Sequence, residues 1–543
     1  MNRKIDNRLP FKESASGRRY FGYAALVVVL LFVAVVRIRL LEVPFERDEG
    51  EYAYFAQLIL HGVPPYLHAY SMKLPGVAAM YALFMAAFGP PVIAVHVGLL
   101  IVNALSTVMV YSLARRLFDE TAAVCASAVF ALLSLGDGVM GVFAHATNFV
   151  ILFALAGYLL LLKALDGGKT GFFFLSGLSF GAAFLMKQHG IFFGVFALLY
   201  LVWTGKRNGD SRYRGLVPFL TGVALPFGIC CLIMSACGVF DKFWFWTYRY
   251  AREYASEATL GMGAVFFAEA CREVAAKTVL LWVLSGTGII FLFVGGAAKA
   301  SRQFAAGFFL FSFLAVCPGL YFRTHYFVLL LPAAALLAGL AVSSARNKLS
   351  RRMGGVASCL LPALMLAIPA GHAIYREREY FFVQNGEQVS RMLFKGNPFP
   401  ESLQIAEYIK GKTSRNDRIA VLGSEPQIFV YADRISATGH IYMYGLVEKQ
   451  KYASAMQQEL TKEIESAEPK FIVASNVESS WLTDPDADRM IFDWAKSYIG
   501  LHYERVGVID IFADKTMYLW DDECAGYAPR SEAYVYVYRR KGS

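Results

Sequence analysis

The chain has 543 residues, 57% of them hydrophobic and only 17% charged. That balance excludes an ordinary soluble domain, because apolar runs of about 20 residues, each long enough to cross a hydrocarbon core, recur as far as residue 375 or so. The net charge of +10 does not point to nucleic acid: the basic residues collect in short loops between apolar runs, as the positive-inside rule expects, and basic patches interleaved with aromatics are absent.

The eight cysteines lie mostly in apolar segments, where cysteine behaves as a small hydrophobe. Cys524 stands by itself in the C-terminal part, and no CxxC or Cys/His spacing suggests zinc. The first apolar run, 21–41, is too long for a signal-peptide core and no small-residue cleavage site follows it, so it is expected to be an uncleaved first span.

Residues 1–19 are polar and basic (Arg3, Lys4, Arg8, Lys12, Arg18, Arg19) and are expected to stay in the cytoplasm. Span 1, about 20–41, delivers an acidic cluster to the outer face. The run 77–88, ended by Gly89-Pro90-Pro91, is only about a dozen residues long and reads as interfacial or re-entrant. Spans follow at about 92–113, 120–135, 146–165, 171–186, 190–204, 216–239, 277–296, 304–321, 327–343 and 354–374. Arg115-Arg116, Lys163 and Lys169, Lys206 to Arg214, Lys299 and Arg302, and Arg346 to Arg352 fall on the inside. A long aromatic outer loop, Phe243-Trp244-Phe245-Trp246, suits the headgroup belt. The count is about eleven, with the N-terminus inside and the C-terminus outside.

From about 376 the pattern becomes that of a soluble domain. Arg376-Glu377-Arg378-Glu379 opens a linker. Helices are expected at 402–411 and 449–466, and strands at 418–422, 470–474, 503–511 and 534–538, which together argue a small α/β domain. The expected organisation is therefore a cytoplasmic tail 1–19, a transmembrane module 20–375 with an outer loop at 42–76, and an extracytoplasmic α/β domain at 376–543.

Glu46-Arg47-Asp48-Glu49-Gly50-Glu51-Tyr52 is where chemistry is expected. It places four acids and an arginine in six residues beside a membrane. A charge at the bilayer centre costs roughly 2.5–3.5 kcal/mol, so the cluster must lie at an interface or in a wet cavity, where ionisable groups are functional candidates. Tyr52, Phe55, Ala56 and Ile59 fall on one helical face, as in an amphipathic helix lying on the membrane, and Gly62 is placed to end it. Asp48 with Glu51 three residues on also reads as a capping box. A cap needs one acid, however, and this loop has four. A carboxylate here can deprotonate an acceptor hydroxyl or hold a cation against a phosphate. Lys73, just before Pro75-Gly76, reads either as a snorkelling lysine or as a point charge for a lipid-linked phosphate.

Asp48-Glu49-Gly50-Glu51-Tyr52-Ala53-Tyr54, Leu60-His61-Gly62 and Lys73-Leu74-Pro75-Gly76 together resemble the first outer loop of the bacterial dolichyl-phosphate-mannose–protein mannosyltransferase-like family, GT-C glycosyltransferases related to the lipid A aminoarabinose transferase. Leu113 to Phe118, Phe184-Leu185-Met186-Lys187-Gln188, His325-Tyr326-Phe327 and Gly423 to Ile428 extend the resemblance in the same order. It implies a sugar donor on a polyprenyl phosphate, with Asp48 and Glu49 as the catalytic pair, Asp48 being the base or acceptor-orienting acid, and Lys73 on the donor phosphate. Leu74 replaces a frequent proline. Glu51 stands where the aminoarabinose transferase has an arginine, which argues against that particular substrate.

Related enzymes often carry an acid near the start of span 4. Here Phe143 to Phe149 has none, leaving Asp137 or His145 as substitutes, and a divalent cation is left open. Glu51, Tyr52, Lys187, Arg323, His325 and Tyr326 are candidates for substrate binding, and Glu425 for a contribution from the soluble domain. Lys187 also reads as a snorkelling lysine, His325 as a belt residue, and His145 as a polar residue satisfied inside the bundle.

The sequence thus predicts a polytopic α-helical membrane protein of GT-C type with a C-terminal α/β domain. It is expected to act in the bacterial inner membrane with its site on the periplasmic side, moving a sugar from a polyprenyl-phosphate donor to a lipid, glycan or protein acceptor. A glycolipid transporter and a non-catalytic glycolipid-binding or assembly protein are the alternatives.

Overall fold

The computed structural model describes residues 16–167, 169–208, 215–294, 296–352 and 357–542. Arg3, Lys4, Arg8, Lys12, Arg212 and Arg214, counted above as inside charges, lie outside them. The chain forms two compact units. One contains residues 1–40, 96–231 and 255–384; the other contains 41–95, 232–254 and 385–543.

The first unit is helical. Ser16–Arg39, Glu120–Leu135, Ala146–Gly167, Thr170–Met186, Ile191–Asn208, Val279–Val294, Lys299–Val316, Leu331–Arg352 and Ala357–Arg376 each occupy a stretch expected to span. So do Pro91–Leu117 and Leu216–Ala236, which belong to this unit from residue 96 onward and up to residue 231, respectively. Among the described residues, five helices are both long and apolar enough to cross a membrane, and a bent helix pair adds a sixth if it is counted as one span. Small residues let the helices approach: a Cβ on Gly157 would meet the Phe180 ring at 2.8 Å.

Two expectations fail in this unit. The outer loop expected between the spans 216–239 and 277–296 contains a helix, Leu260–Ala275, which meets Val279–Val294 at a bend of 111°. Its thin apolar stripe, interrupted by Glu269, Arg272 and Glu273, is too polar for a run-length criterion to register. The stretch from Arg376 to Glu379 is not a solvated linker, because Glu377 is buried and lies 3.6 Å from Lys277.

The second unit is built on a six-stranded mixed sheet in the order β2-β1-β3-β6-β4-β5. The strands are β1 (Arg418–Leu422), β2 (Ile435–Ser436), β3 (Phe471–Asn476), β4 (Tyr503–Ile511), β5 (Thr516–Trp520) and β6 (Ala533–Arg540). β1 is parallel to β2 and β3, and the remaining pairs are antiparallel. β1 and β3 read as continuous apolar runs because both their faces are covered. β6 alternates instead. Val535 and Val537 are buried, while Tyr534, Tyr536 and Tyr538 form a ladder on the other face with ring centroids 5.0 and 5.9 Å apart.

Against this sheet domain packs the acidic segment, a helix from Arg47 to Leu60. It is no membrane-surface helix: Arg47 and every residue from Glu49 to Leu58 are buried. It ends where Gly62 adopts a left-handed conformation, φ 74°. The short apolar helix Gly76–Phe88 packs beside it. At 13 residues it is about 20 Å long, well under the roughly 30 Å of a hydrocarbon core.

Candidate active site

The acidic helix is capped two residues earlier than the sequence suggests. Glu46, not Asp48, is the N-cap, and its carboxylate accepts the Glu49 N–H at 2.8 Å. That frees Asp48 and Glu51, three residues apart and so on one helical face, from any capping duty. Burial, then the Asp48 and Glu49 charges, holds the Glu46 carboxyl far above the usual carboxylate range.

Gly50 fixes how closely this helix lies against the helix Gln427–Ala432. A Cβ at position 50 would stand 2.7 Å from the Gln427 backbone nitrogen, so only glycine fits. Arg47 fastens the same junction. Its guanidinium donates to the Ser424 carbonyl at 2.6 Å, Asn397 at 3.0 Å and Glu425 at 3.3 Å, and lies over the Phe399 and Tyr444 rings. Ser480 donates to the other oxygen of Glu425 at 2.8 Å. The Glu425 carboxylate is thus committed to holding Arg47.

Lys73 closes the site. Its ammonium donates to Asp48 Oδ1 at 2.7 Å and to Glu51 Oε2 at 2.5 Å. It lies 4.5 Å from the Tyr52 ring centroid and 5.6 Å from that of Tyr442. The Tyr442 hydroxyl adds a 3.3 Å bond to Asp48 Oδ1, and Tyr66 fixes the Lys73 carbonyl at 2.7 Å. Burial alone would pull the Lys73 pKa down, but Asp48 and Glu51 outweigh it and hold the ammonium well above its ordinary value. Glu51 is pushed up by burial and pulled part of the way back by Lys73. Of these acids, Asp48 keeps 21% of its side chain exposed and Glu51 only 4%, while Glu49 is fully buried. Asp48 is the member of the set that a substrate can reach.

In the other unit, Lys187 follows the helix Thr170–Met186 in extended conformation. Its ammonium sits 3.6 Å from the Tyr326 ring centroid, a cation–π contact. His325 stacks on His145 at 4.2 Å between centroids, tilted 15°. His189 meets the Tyr326 edge and bonds the Ala315 carbonyl. Lys187, His145, His325 and Tyr326 are therefore one cluster. Arg323 lies over Tyr321. Asp137 joins a different group, bonded by Lys277, which is itself paired with Glu377.

Arg47, Tyr442 and Lys277 were missed as structural partners because their counterparts lie hundreds of residues away, or in Lys277's case 140. Asp48 and Glu51 in one unit, and His145 and His325 in the other, have the chemistry to ligate a divalent cation.

Residues 68–235 match the family model described as dolichyl-phosphate-mannose-protein mannosyltransferase. No curated protein matches the chain. Among solved structures, ArnT from Cupriavidus metallidurans bound to undecaprenyl phosphate aligns over 97% of this chain and 98% of its own, with a TM-score of 0.58 and 14% identity. The archaeal oligosaccharyltransferase AglB from Archaeoglobus fulgidus, in complex with an inhibitory peptide and a dolichol-phosphate, aligns over 94% of this chain and 75% of its own, with a TM-score of 0.57 and 12% identity. A complex of the A. fulgidus oligosaccharyltransferase with Zn and sulfate gives 0.56 at 14% identity, over 91% and 72%. The chain shares the fold of these solved structures.

Proposed function

We propose that the protein is an integral-membrane glycosyltransferase that moves a sugar from a polyprenyl-phosphate donor to an acceptor hydroxyl on the extracytoplasmic side. The observation that carries this reading is the Lys73 ammonium held between Asp48 and Glu51, in a fold whose similar structures hold undecaprenyl phosphate or a dolichol-phosphate.

The acceptor oxygen attacks the anomeric carbon while the bond from that carbon to the phosphate oxygen breaks. Asp48, the reachable carboxylate, takes the hydroxyl proton. The polyprenyl phosphate leaves with its charge stabilised by Lys73, and such stabilisation of developing charge is commonly the largest catalytic contribution. Glu51, buried on the same face, keeps Lys73 charged and aimed. Glu425 seats the helix by holding Arg47, and Glu49 is fully buried. Tyr52 and Tyr442 wall the ammonium. Lys187 with Tyr326, His325 and His145, and Arg323 nearby in the sequence, offer further contacts for phosphate and sugar. Lys73 already supplies positive charge beside Asp48, so no step of this mechanism runs through a metal, and a chelator test decides whether a divalent cation adds to it.

The topology that goes with this reading has about eleven crossings, with a cytoplasmic N-terminus and a periplasmic C-terminal domain in a bacterial inner membrane. The alternation of basic loops supports it.

The test compares cells carrying the wild-type protein with cells carrying Asp48→Asn at equal expression, by mass spectrometry of surface glycans, lipid A and polyprenyl-phosphate sugars. The expected result is one glycan short of a sugar and accumulation of its lipid-linked donor. Unchanged glycans with Asp48→Asn, in a background where deletion alters them, refute the catalytic role and favour a binding or transport protein.

A further inference from the structure

The helix Leu216–Ala236 is long and apolar enough to cross a membrane, and only 17% of that apolar stretch is buried inside the protein. Its last turns expose Leu232 and Ile233. The helix stops at Gly238, whose left-handed φ of 70° lets the Val239 N–H turn back onto the Met234 carbonyl at 3.0 Å. Residues 240–254 then run helically, with one wide turn at Phe245–Tyr250. Aromatic side chains leave this segment in two directions. Phe243, Trp246 and Tyr250 are buried. Phe243 meets Tyr66 edge to face at 5.3 Å, and Trp246 stacks on Tyr70 at 5.4 Å.

The other set faces outward. Phe240, Trp244 and Tyr248, four residues apart, form a stack of their own, with ring centroids 6.0 and 4.9 Å apart and planes tilted 19° and 28°. Tyr248 is 54% exposed, and Phe240 and Trp244 are only partly covered. Packing within the protein accounts for the inner set and leaves the outer one as an exposed apolar patch, the mark of an interaction surface. The charges of the segment sort in the same way. Lys242 pairs with Glu459, and Glu253 with Lys451. Arg249 and Arg252 are exposed and, among the described residues, have no carboxylate partner; Asp241 is the one exposed acid of the segment. Aromatic rings just past the end of a lipid-facing helix, followed by two uncompensated arginines, match the headgroup layer of a membrane, and the arginines favour anionic lipid there.

We propose that residues 240–254 are an interfacial anchor: Phe240, Trp244 and Tyr248 enter the headgroup layer, and Arg249 and Arg252 take the phosphates of anionic phospholipids. The anchor sets the depth of the candidate active site. Phe243, on its inner face, packs on Tyr66, and the Tyr66 hydroxyl donates to the Lys73 carbonyl at 2.7 Å. All of these residues belong to the sheet-containing unit. Lys73 is thereby held at a fixed height against the headgroups, the layer in which the phosphate of a lipid-linked donor lies. The depth-setting role rests on the glycosyltransferase reading; the anchoring itself does not.

Tryptophan fluorescence of the full chain in nanodiscs tests the inference, with phosphatidylcholine or phosphatidylglycerol brominated either near the headgroup or near the chain end. Trp244→Phe keeps the aromatic stack, so the difference between wild type and variant isolates one ring among the seven tryptophans. That component is expected to be quenched by bromine near the headgroup and less by bromine near the chain end; no quenching by either overturns the anchor. Quenching is expected to be stronger in phosphatidylglycerol and to lose that preference in Arg249→Gln with Arg252→Gln; a preference unchanged in that variant overturns the role of the arginines. Phe240→Ser with Trp244→Ser and Tyr248→Ser is expected to raise KM for a bilayer-embedded lipid-linked donor about tenfold at unchanged kcat; an unchanged KM overturns the depth-setting role. Asp48→Asn separates the two readings. If it stops transfer while Trp244 goes unquenched, the glycosyltransferase reading stands and the anchor falls. If it leaves transfer intact while Trp244 is quenched, the anchor stands and Asp48 is not the base.

Discussion

Replacing Lys73 by methionine removes the ammonium while keeping most of the side-chain volume. Two carboxylates, Asp48 and Glu51, then face each other without the cation that sits 2.7 and 2.5 Å from them. Breaking a buried ion pair by deleting one partner costs about 3–5 kcal/mol. Because Lys73 and Asp48 each retain about a fifth of their side-chain exposure, the low end applies, and a loss of about 3 kcal/mol is expected. Sugar transfer is expected to fall roughly 100- to 1,000-fold, the usual effect of removing one group that stabilises developing charge.

Those two losses have different origins, and a double variant separates them. Lys73→Met with Glu51→Gln removes the uncompensated buried acid, so thermal stability is expected to recover by about 2 kcal/mol through coupling of the two sites. Transfer is expected to stay low, because the phosphate still lacks its counter-charge. Apparent unfolding temperature in detergent and release of polyprenyl phosphate from a lipid-linked sugar donor measure the two quantities on the same samples. Recovery of turnover together with stability in the double variant would refute the argument and reduce Lys73 to a structural counter-ion.

Glu46 gives a pH prediction. Its folded-state pKa is raised by burial and by its acidic neighbours, so the folded state binds the proton more tightly than the unfolded one. The stabilisation is complete below the ordinary glutamate value and is lost as pH rises through the raised value. Glu46→Gln keeps the cap acceptor without a titrating proton and should flatten that decline, whereas Glu46→Ala loses the cap and about 1 kcal/mol; unfolding temperatures across pH for the three proteins check this. Arg47→Met leaves Glu425 buried without its cation and should cost about 3–5 kcal/mol, part of it regained with Glu425→Gln; limited proteolysis of the Ser424–Gln427 turn reports the loosening. Gly50→Ala forces a methyl group to 2.7 Å from the Gln427 nitrogen and is expected to destabilise by about 1–3 kcal/mol, seen as a lower unfolding temperature with reduced transfer.

The sequence by itself determined the elements. Long apolar runs became helices at every position where a crossing was expected, because a 20-residue apolar segment has few other stable outcomes beside lipid. β4 was legible to the residue and β6 nearly so, since alternation of valine and tyrosine has a period that only a strand satisfies. The acidic cluster and Lys73 stood out because charge beside a membrane is costly and therefore rarely idle.

Tertiary structure decided what those charges do. It moved the N-cap to Glu46, which released Asp48, and it placed Lys73 against Asp48 and Glu51 across 25 and 22 residues. It drew Arg47 onto Glu425 across 378 residues, and it paired Asp137 with Lys277 across 140 residues. β2 and β5 were invisible, the first because two residues carry no period and the second because none of its residues is fully buried. Local periodicity records which face of an element is apolar. It holds no record of which distant charge will lie opposite, because that is fixed only when separate segments desolvate their ionic groups together and each must find its counter-charge among the others.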